Sequence, residues 1–407
     1  MNCLIPALKQ EEWKQYVEKL TSQRPLPLFS SLVIKFLQEI SSKILKDNTM
    51  RKYPELIATA YWLRKSNLVR IQKEFEMRHE GKILLPRGIV LHFAPSNVDS
   101  IFLYSWVLSM LVGNINIIRL SQQQNEQIRI LLEIIRSILK QKQYEPIKER
   151  TFVISYAHDT EITRYLSSMC HLRVIWGGDE TISTIRSIPL PPIATEIVFP
   201  DRFSSVVLSA DMVNRLDEKA FSQLIHHFYN DAFWFQQRAC SSPRLVCWIG
   251  ENGQVEAAKQ RFWEKVRQKI EQEQYELPTA LHMMRLTTAF YYGAQTYAKE
   301  VSSACLDIPL RVEVNKVDQL AREMHCGGGL FLEMTFPSLL DIADIIIDKD
   351  QTLSYFGFSK EELTAFIYSL KGRGIDRIVP IGKALDFLEV WDGYNLLTYL
   401  TREIDLQ

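Results

Sequence analysis

Residues 89–120 read IVLHFAPSNVDSIFLYSWVLSMLVGNINIIRL, and the alternation inside this stretch decides the fold. Ile89–Phe93 is a short apolar run closed by Pro95, which fits a buried strand. Asp99–Val112 is long enough for a helix and apolar on every side, Gly113-Asn114 stops it, and Ile115–Leu120 is a second short buried strand. The helical run is not a membrane span: Ser105, Ser109, Gly113, Asn114 and Asn116 interrupt it and Arg119 ends it, whereas a span needs about 20 predominantly apolar residues. Strand, helix and strand in this order predict two parallel strands with the helix packed across them.

The alternation continues outward. Phe152–Ser155 and Leu172–Trp176 read as further strands, with helices over Glu126–Gln141 and Thr160–Met169, so the stretch as a whole predicts a parallel sheet with helices on both faces. Ligands of such sheets bind beyond the carboxyl ends of the strands. Those ends are Phe93–Asp99, Arg119–Gln122 and Trp176–Thr181. Gly177-Gly178 lets a ligand approach the backbone, and the helix after it offers N–H groups to a phosphate, although the G-x-G-x-x-G pattern is absent. Taken alone, each end reads equally well as a helix start. Residues 1 to about 80 are helical in pattern, with Leu32, Val33, Phe36, Leu37, Ile40, Ile44 and Leu45 at helical spacing, and form a covering layer.

After Ile185 a proline-rich link (Pro189, Pro191, Pro192, Pro200) marks a crossing into a second unit. There Ser205–Leu208, Leu245–Gly250 and Leu310–Val314 read as strands. Gly327-Gly328-Gly329 reads as a turn, since no lysine or Ser/Thr-headed helix follows as a phosphate loop requires. The tail from Gly372 to Tyr394, dense in glycine, charge and aromatics, suits a cleft-lining loop or an ordinary surface turn. A chain of 407 residues exceeds what one core holds, which agrees with two domains. Forty-eight basic residues balance forty-eight acidic ones, so no global field recruits nucleic acid. The six cysteines lack paired spacing and the start Met1-Asn2-Cys3-Leu4-Ile5-Pro6 lacks a basic leader, which points to the reducing cytoplasm. No zinc spacing is present, so no metal is expected.

One cysteine stands apart. In Phe233-Trp234-Phe235-Gln236-Gln237-Arg238-Ala239-Cys240-Ser241-Ser242-Pro243-Arg244 a helical run from Phe221 to Phe235 brings the chain to a packed interior, and Ser241-Ser242-Pro243 breaks it at the sulfur. The small neighbours leave room for a substrate carbonyl. Cys240 is then either a nucleophile or a buried structural thiol, and the local sequence leaves both open.

The order of these pieces resembles the aldehyde dehydrogenase superfamily. Pro95-Ser96-Asn97 matches its Pro-Trp-Asn turn, Gly113–Gln122 its Gly-Asn…Lys-Pro-Ser-Glu segment, and Trp176-Gly177-Gly178-Asp179 its Phe-Thr-Gly-Ser turn. Within it, Ala239–Pro243, Gln351-Thr352-Leu353-Ser354, Asp376–Gly382 and Trp391-Asp392-Gly393 resemble the acyl-CoA reductase family, whose type member is the LuxC-type fatty-acid reductase of bacterial bioluminescence. The resemblance covers roughly Ile83 to Arg402. It implies an α/β fold of two Rossmann-like parallel-sheet domains with a helical N-terminal layer. Residues 1–208 would form that layer and the NAD(P)-binding domain, 209–377 the catalytic domain, and 378–407 a tail returning to the cofactor domain.

The resemblance also implies the chemistry. Cys240 would attack an acyl-CoA or other acyl thioester, and Asn97 with the Cys240 N–H would hold the oxyanion. Pro95, Ser96, Arg119, Ser121, Gln122, Gly177, Gly178 and Asp179 would bind the cofactor. Hydrolytic members have a glutamate that activates water, where this chain has Phe199, with Glu196 or Asp201 as substitutes, and Gln237-Arg238 replaces the Gly-Gln before the cysteine. A reductase forming an aldehyde needs hydride, not water, at the acyl carbon. Gln122 in place of glutamate, beside Arg119, leaves nothing to oppose a 2′-phosphate, so NADPH is expected. An acyl-protein synthetase or ligase is the expected partner, and the sequence is compatible with an oligomer. The rivals are an aldehyde dehydrogenase running in the oxidative direction and a non-catalytic scaffold.

Overall fold

The computed structural model describes residues 1–95, 101–123, 125–301 and 308–407. These divide into two compact units, residues 1–200 with 387–407 and residues 201–386.

The first unit is built on β1 (Asn2–Ile5), β3 (Ile89–Phe93), β4 (Ile115–Leu120), β5 (Thr151–Ser155), β6 (Leu172–Trp176) and β7 (Thr195–Phe199), while β2 (Ile83–Pro86) pairs antiparallel with Thr401–Ile404 of the tail. The sheet runs β1-β5-β4-β3-β6-β7, parallel except for β1. β3 is therefore the point where the strand order reverses, with β4 on one side and β6 on the other. β3, β5 and β6 are buried on both faces, which is why they read as short, mostly apolar runs without alternation. The helix Ile101–Leu111 is buried along its whole length. Among the described residues no helix is long and apolar enough to cross a membrane.

One buried chain of hydrogen bonds ties the middle of this sheet together. Asn116 Oδ1 can only accept, so His92 Nε2 donates to it (3.1 Å); Nδ1 then accepts from the Ser105 hydroxyl (2.8 Å), whose oxygen takes the Trp176 Nε1–H (3.2 Å). Burial pushes the His92 pKa down to about 4, so the ring stays neutral and each donor keeps an acceptor.

The second unit holds β8 (Phe203–Ser209), β9 (Pro243–Ile249), β10 (Ala298–Val301), β11 (Leu310–Val314), β12 (Leu330–Phe336), β13 (Asp350–Phe356) and β14 (Arg377–Pro380). Their order is β10-β11-β12-β9-β8-β13-β14, and only β10 is antiparallel. The helices Glu218–Phe233 and Asn252–Gln272 cover one face through Phe228, Phe262 and Trp263, and the helices Thr279–Ala294 and Lys360–Ser369 cover the other through Ala289, Tyr292 and Phe366. The fold is thus α/β, two parallel-sheet units with helices at the N-terminus, as the resemblance implied.

Several elements depart from the sequence reading. β1 is a strand inside the segment read as wholly helical; its four residues are too few for a period to show. β7 lies in what read as a proline-rich link, because the prolines flank it without entering it. A boundary at residue 208 would cut β8, and one at 377 would split the first residue of β14 from the rest; both strands are hydrogen-bonded to β13, so the second unit begins at Asp201 and ends at Asp386.

Candidate active site

The residues expected to hold a cofactor gather at the carboxyl ends of β3, β4 and β6. The Ala94 N–H donates to the Arg119 carbonyl (3.0 Å), which sets half-buried Pro95 beside the end of β4. Ser96 and Asn97 lie outside the described residues. Arg119 reaches toward the end of β5, where Nη2 donates to the Tyr156 carbonyl (3.0 Å) and the guanidinium stands 5.4 Å from the Tyr156 ring centroid. Its Nε is buried with no hydrogen-bond partner among the described residues. Glu126, at the start of the next helix, pairs with Lys52 (3.5 Å). Burial pulls the Arg119 pKa down, but a guanidinium remains charged in a protein.

Phe93, Arg119, Tyr156, Asp159, Thr163 and Thr181 line part of a solvent-open cleft of about 460 Å³ there. Its place at the switch point, and the partly unsatisfied cation in its wall, fit an anionic nucleotide. Ser121 Oγ accepts the Gln123 N–H (3.3 Å) and its carbonyl accepts from Ser155 Oγ (3.2 Å), while Gln122 is exposed. Asp159 corrects the expectation that nothing opposes a 2′-phosphate. Its carboxylate caps the helix Thr160–Ser167 through the Ile162 N–H (3.0 Å) and lies in the same cleft.

At the end of β6 the Gly177 N–H donates to the Phe199 carbonyl (3.2 Å) and Gly178 is the N-cap of the helix Asp179–Arg186. That first turn already holds two carboxylates, Asp179 and Glu180. They complement the helix dipole and oppose a phosphate, so Asp179 suits a hydroxyl or amide of the ligand.

Cys240 lies in the second unit on a loop that is braced from three sides. The helix before it ends at Phe233, earlier than the sequence suggested, because Gln236 and Gln237 take left-handed backbone conformations (φ 53° and 59°). Gln237 is fully buried: its Nε2 donates to the Pro243 carbonyl (2.8 Å) and its Oε1 accepts the Gly329 N–H (2.9 Å). The Gly328 N–H donates to the Gln236 carbonyl (2.9 Å), and a Cβ at Gly327 would come within 2.9 Å of the Gln237 carbonyl oxygen. The glycine turn is thus the support of the cysteine loop. From the third side Ser204 Oγ donates to the Cys240 carbonyl (2.6 Å) and accepts the Thr352 N–H (3.2 Å). Cys240 itself is half-buried, and burial pushes up the thiols of Cys3, Cys170, Cys247 and Cys326.

The acyl-CoA reductase (LuxC) family matches residues 46–403. The chain belongs to this family. No curated protein matches it. Among solved structures it is similar to aldehyde dehydrogenase 21 from Physcomitrella patens in complex with succinate (TM-score 0.67, 10% identity, 95% of this chain and 86% of that one). It is also similar to glyceraldehyde-3-phosphate dehydrogenase from Methanocaldococcus jannaschii complexed with NADP (TM-score 0.66, 13% identity, 98% and 94%). A third is PnpE in complex with nicotinamide adenine dinucleotide (TM-score 0.64, 11% identity, 91% and 81%). Family and fold make the chain an oxidoreductase of acyl and aldehyde substrates.

Two of the stretches that resemble the LuxC acyl-CoA reductases, Gln351–Ser354 and Asp376–Gly382, have structural duties within the cysteine unit. Thr352 reaches the Cys240 carbonyl through Ser204, as above. Arg377 donates to the carbonyls of Lys383, Ala384 and Asp386 (2.9, 2.7 and 3.1 Å for Ala384, Lys383 and Asp386). Asp231, on the helix that leads to the cysteine loop, accepts the Gly382 and Ala384 N–H groups (2.6 and 3.1 Å). Burial pushes that carboxyl up to about 7. Of the tail, read as a cleft-lining loop or an ordinary surface turn, Arg377–Pro380 is the edge strand β14 and the turn after it is clamped to that helix. Phe199, which the resemblance sets at the place of the hydrolytic glutamate, is buried and stacked on Trp176 (3.8 Å between centroids). Neither substitute base is free: Glu196 pairs with Arg173 and with Arg186 (2.5 and 3.1 Å), and Asp201 with Lys349 (3.0 Å). Gln237, Asp231 and Asp159 escaped the sequence reading because their partners lie far away in the chain or across a turn.

Proposed function

We propose that this chain reduces an acyl-CoA, or another acyl thioester, to an aldehyde with NADPH, through an acyl group carried on Cys240. The observation that carries the reading is a half-buried thiol on a rigidly braced loop in a chain of the acyl-CoA reductase family. The Cys240 thiolate attacks the thioester carbonyl and the CoA thiolate leaves, taking a proton from solvent. Bound NADPH supplies the hydride that reduces the acyl carbon. The resulting oxyanion, held by the Cys240 N–H and Asn97, collapses to aldehyde and returns the electron pair to the Cys240 sulfur. Arg119, Pro95, Ser96, Ser121, Gln122, Gly177, Gly178 and Asp179 orient the dinucleotide. That Phe199 is apolar and that Glu196 and Asp201 are paired supports a site that leaves water inactive. The acyl group arrives as free acyl-CoA or from an acyl-protein synthetase.

Incubating the protein with acyl-CoA and NADPH, and following absorbance loss with a hydrazine aldehyde trap, tests the reading. Trapped aldehyde equal to the NADPH consumed is expected. Turnover only in the direction of aldehyde oxidation would make it an oxidising dehydrogenase, and no turnover with any thioester would leave a scaffold.

A further inference from the structure

We propose that Arg244 is a positioning residue that stabilises the thiolate of Cys240. The proposal rests on the acyl-cysteine reading and adds what makes that thiol nucleophilic. Arg244 is the second residue of β9 and is buried (7% exposed). Its guanidinium is held by backbone and ring: Nη1 donates to the Arg202 carbonyl (3.3 Å), the plane stands 5.9 Å from the Phe203 ring centroid, and Nε has no partner. The next residue, Ser204, holds the Cys240 carbonyl and stands opposite Pro243. Guanidinium and cysteine loop thus hang on three consecutive residues, Arg202 to Ser204.

A buried cation without a bonded anion is costly, and structural ones are paired. Arg322 shows the paired case in the same unit, bound to the carboxylate of Asp350 through Nε and Nη2 (2.9 and 2.8 Å). Among the described residues Arg244 has no carboxylate at that distance. Among the described residues the titratable groups in its field are Asp201, Cys240, Cys326 and Tyr292, with His325 beside it. Asp201 is about half exposed and shared with Lys349 (3.0 Å). The Tyr292 hydroxyl donates to the Ala321 carbonyl (2.6 Å) and burial pushes its pKa up; burial and the Arg244 charge keep His325 neutral. The Arg202 guanidinium is occupied by Asp376 and the Asp350 carbonyl. Burial raises the Cys326 thiol. Cys240, half-buried, is the group left for this charge to ionise, and a nearby cation favours a thiolate over a thiol.

The test is the pH dependence of Cys240 alkylation by iodoacetamide, read by mass spectrometry of its peptide in the whole protein without substrate. Arg244→Gln is expected to raise the midpoint by about one pH unit and slow labelling at pH 7 about tenfold, with Arg244→Lys restoring most of the rate. A folded Arg244→Gln protein with the unmodified midpoint overturns the proposal. If that variant does not fold, Asp201→Asn decides: losing the competing carboxylate lowers the midpoint if Arg244 acts as proposed, and an unchanged midpoint rejects it. Alkylation needs neither thioester nor cofactor, so the two readings fail separately. A midpoint set by Arg244 in a protein that never takes up an acyl group rejects the acyl-cysteine reading, whereas an acylated protein indifferent to Arg244 rejects only this proposal.

Discussion

Cys240→Ala is expected to lower aldehyde formation from acyl-CoA by at least roughly 10³-fold and to abolish the acyl adduct seen without NADPH. The size follows from the chemistry: with no sulfur to accept the acyl group, hydride would have to reach an unactivated thioester. The loop itself should survive the change. Its shape is set by the left-handed Gln236-Gln237 pair, by the Gln237 amide between Pro243 and Gly329, and by Ser204 on the Cys240 carbonyl, none of which uses the sulfur. A circular dichroism spectrum and melting curve like those of the unmodified protein would show that only the chemistry was lost. Cys326→Ala is the matched control, because burial raises that thiol and the adduct should persist. An adduct that stays in Cys240→Ala, or moves to another peptide without loss of turnover, would remove Cys240 from the mechanism.

The second large effect concerns the cofactor, where kcat/KM is expected to favour NADPH over NADH by roughly 10- to 100-fold. Arg119 lines the cleft, keeps its charge, and has a buried Nε without a partner among the described residues, while exposed Gln122 brings no carboxylate to the ribose. A charge-assisted hydrogen bond to a 2′-phosphate is worth about 1.5–3 kcal/mol, which sets the range. Asp159 acts against it, as the one acidic group of the cleft wall among the described residues, and its capping bond to Ile162 uses one oxygen. Gln122→Glu should depress NADPH use and spare NADH, and Asp159→Asn should widen the preference. Steady-state kinetics with both cofactors checks all three. Equal use of the two by the unmodified protein, unchanged by Gln122→Glu, would place the adenosine end at another strand terminus.

Much of this was legible in the sequence because the signals were local. Ile89–Phe93, Ile115–Leu120 and Leu172–Trp176 are strands with the bounds their apolar runs suggested, since strands covered on both faces are apolar on both, with only His92, Asn116, Arg119 and Arg173 as polar positions. β1 and β7 were missed for the opposite reason: one is a four-residue edge strand and the other alternates between exposed and buried positions among prolines. The cysteine loop was found but its support was not. Gln237 looked like a mere departure from the family pattern, and the three glycines like a turn of no consequence, until Gln237 Oε1 was seen on Gly329 N–H, 92 positions away. Arg244 gave a weak signal, a charge opening an apolar strand four residues after the thiol. Asp159 gave none, because only the fold brings it into one cleft with Arg119.

The fate of the acyl group on Cys240 tests the central claim most directly. The protein is acylated with acyl-CoA, freed of excess thioester, and divided between buffer alone and buffer with NADPH, with the Cys240 peptide and released products followed by mass spectrometry. With Phe199 apolar and Glu196 and Asp201 held by Arg173 and Lys349, the adduct is predicted to persist in buffer and to discharge with NADPH as aldehyde. Rapid discharge in buffer as the carboxylic acid would contradict the account.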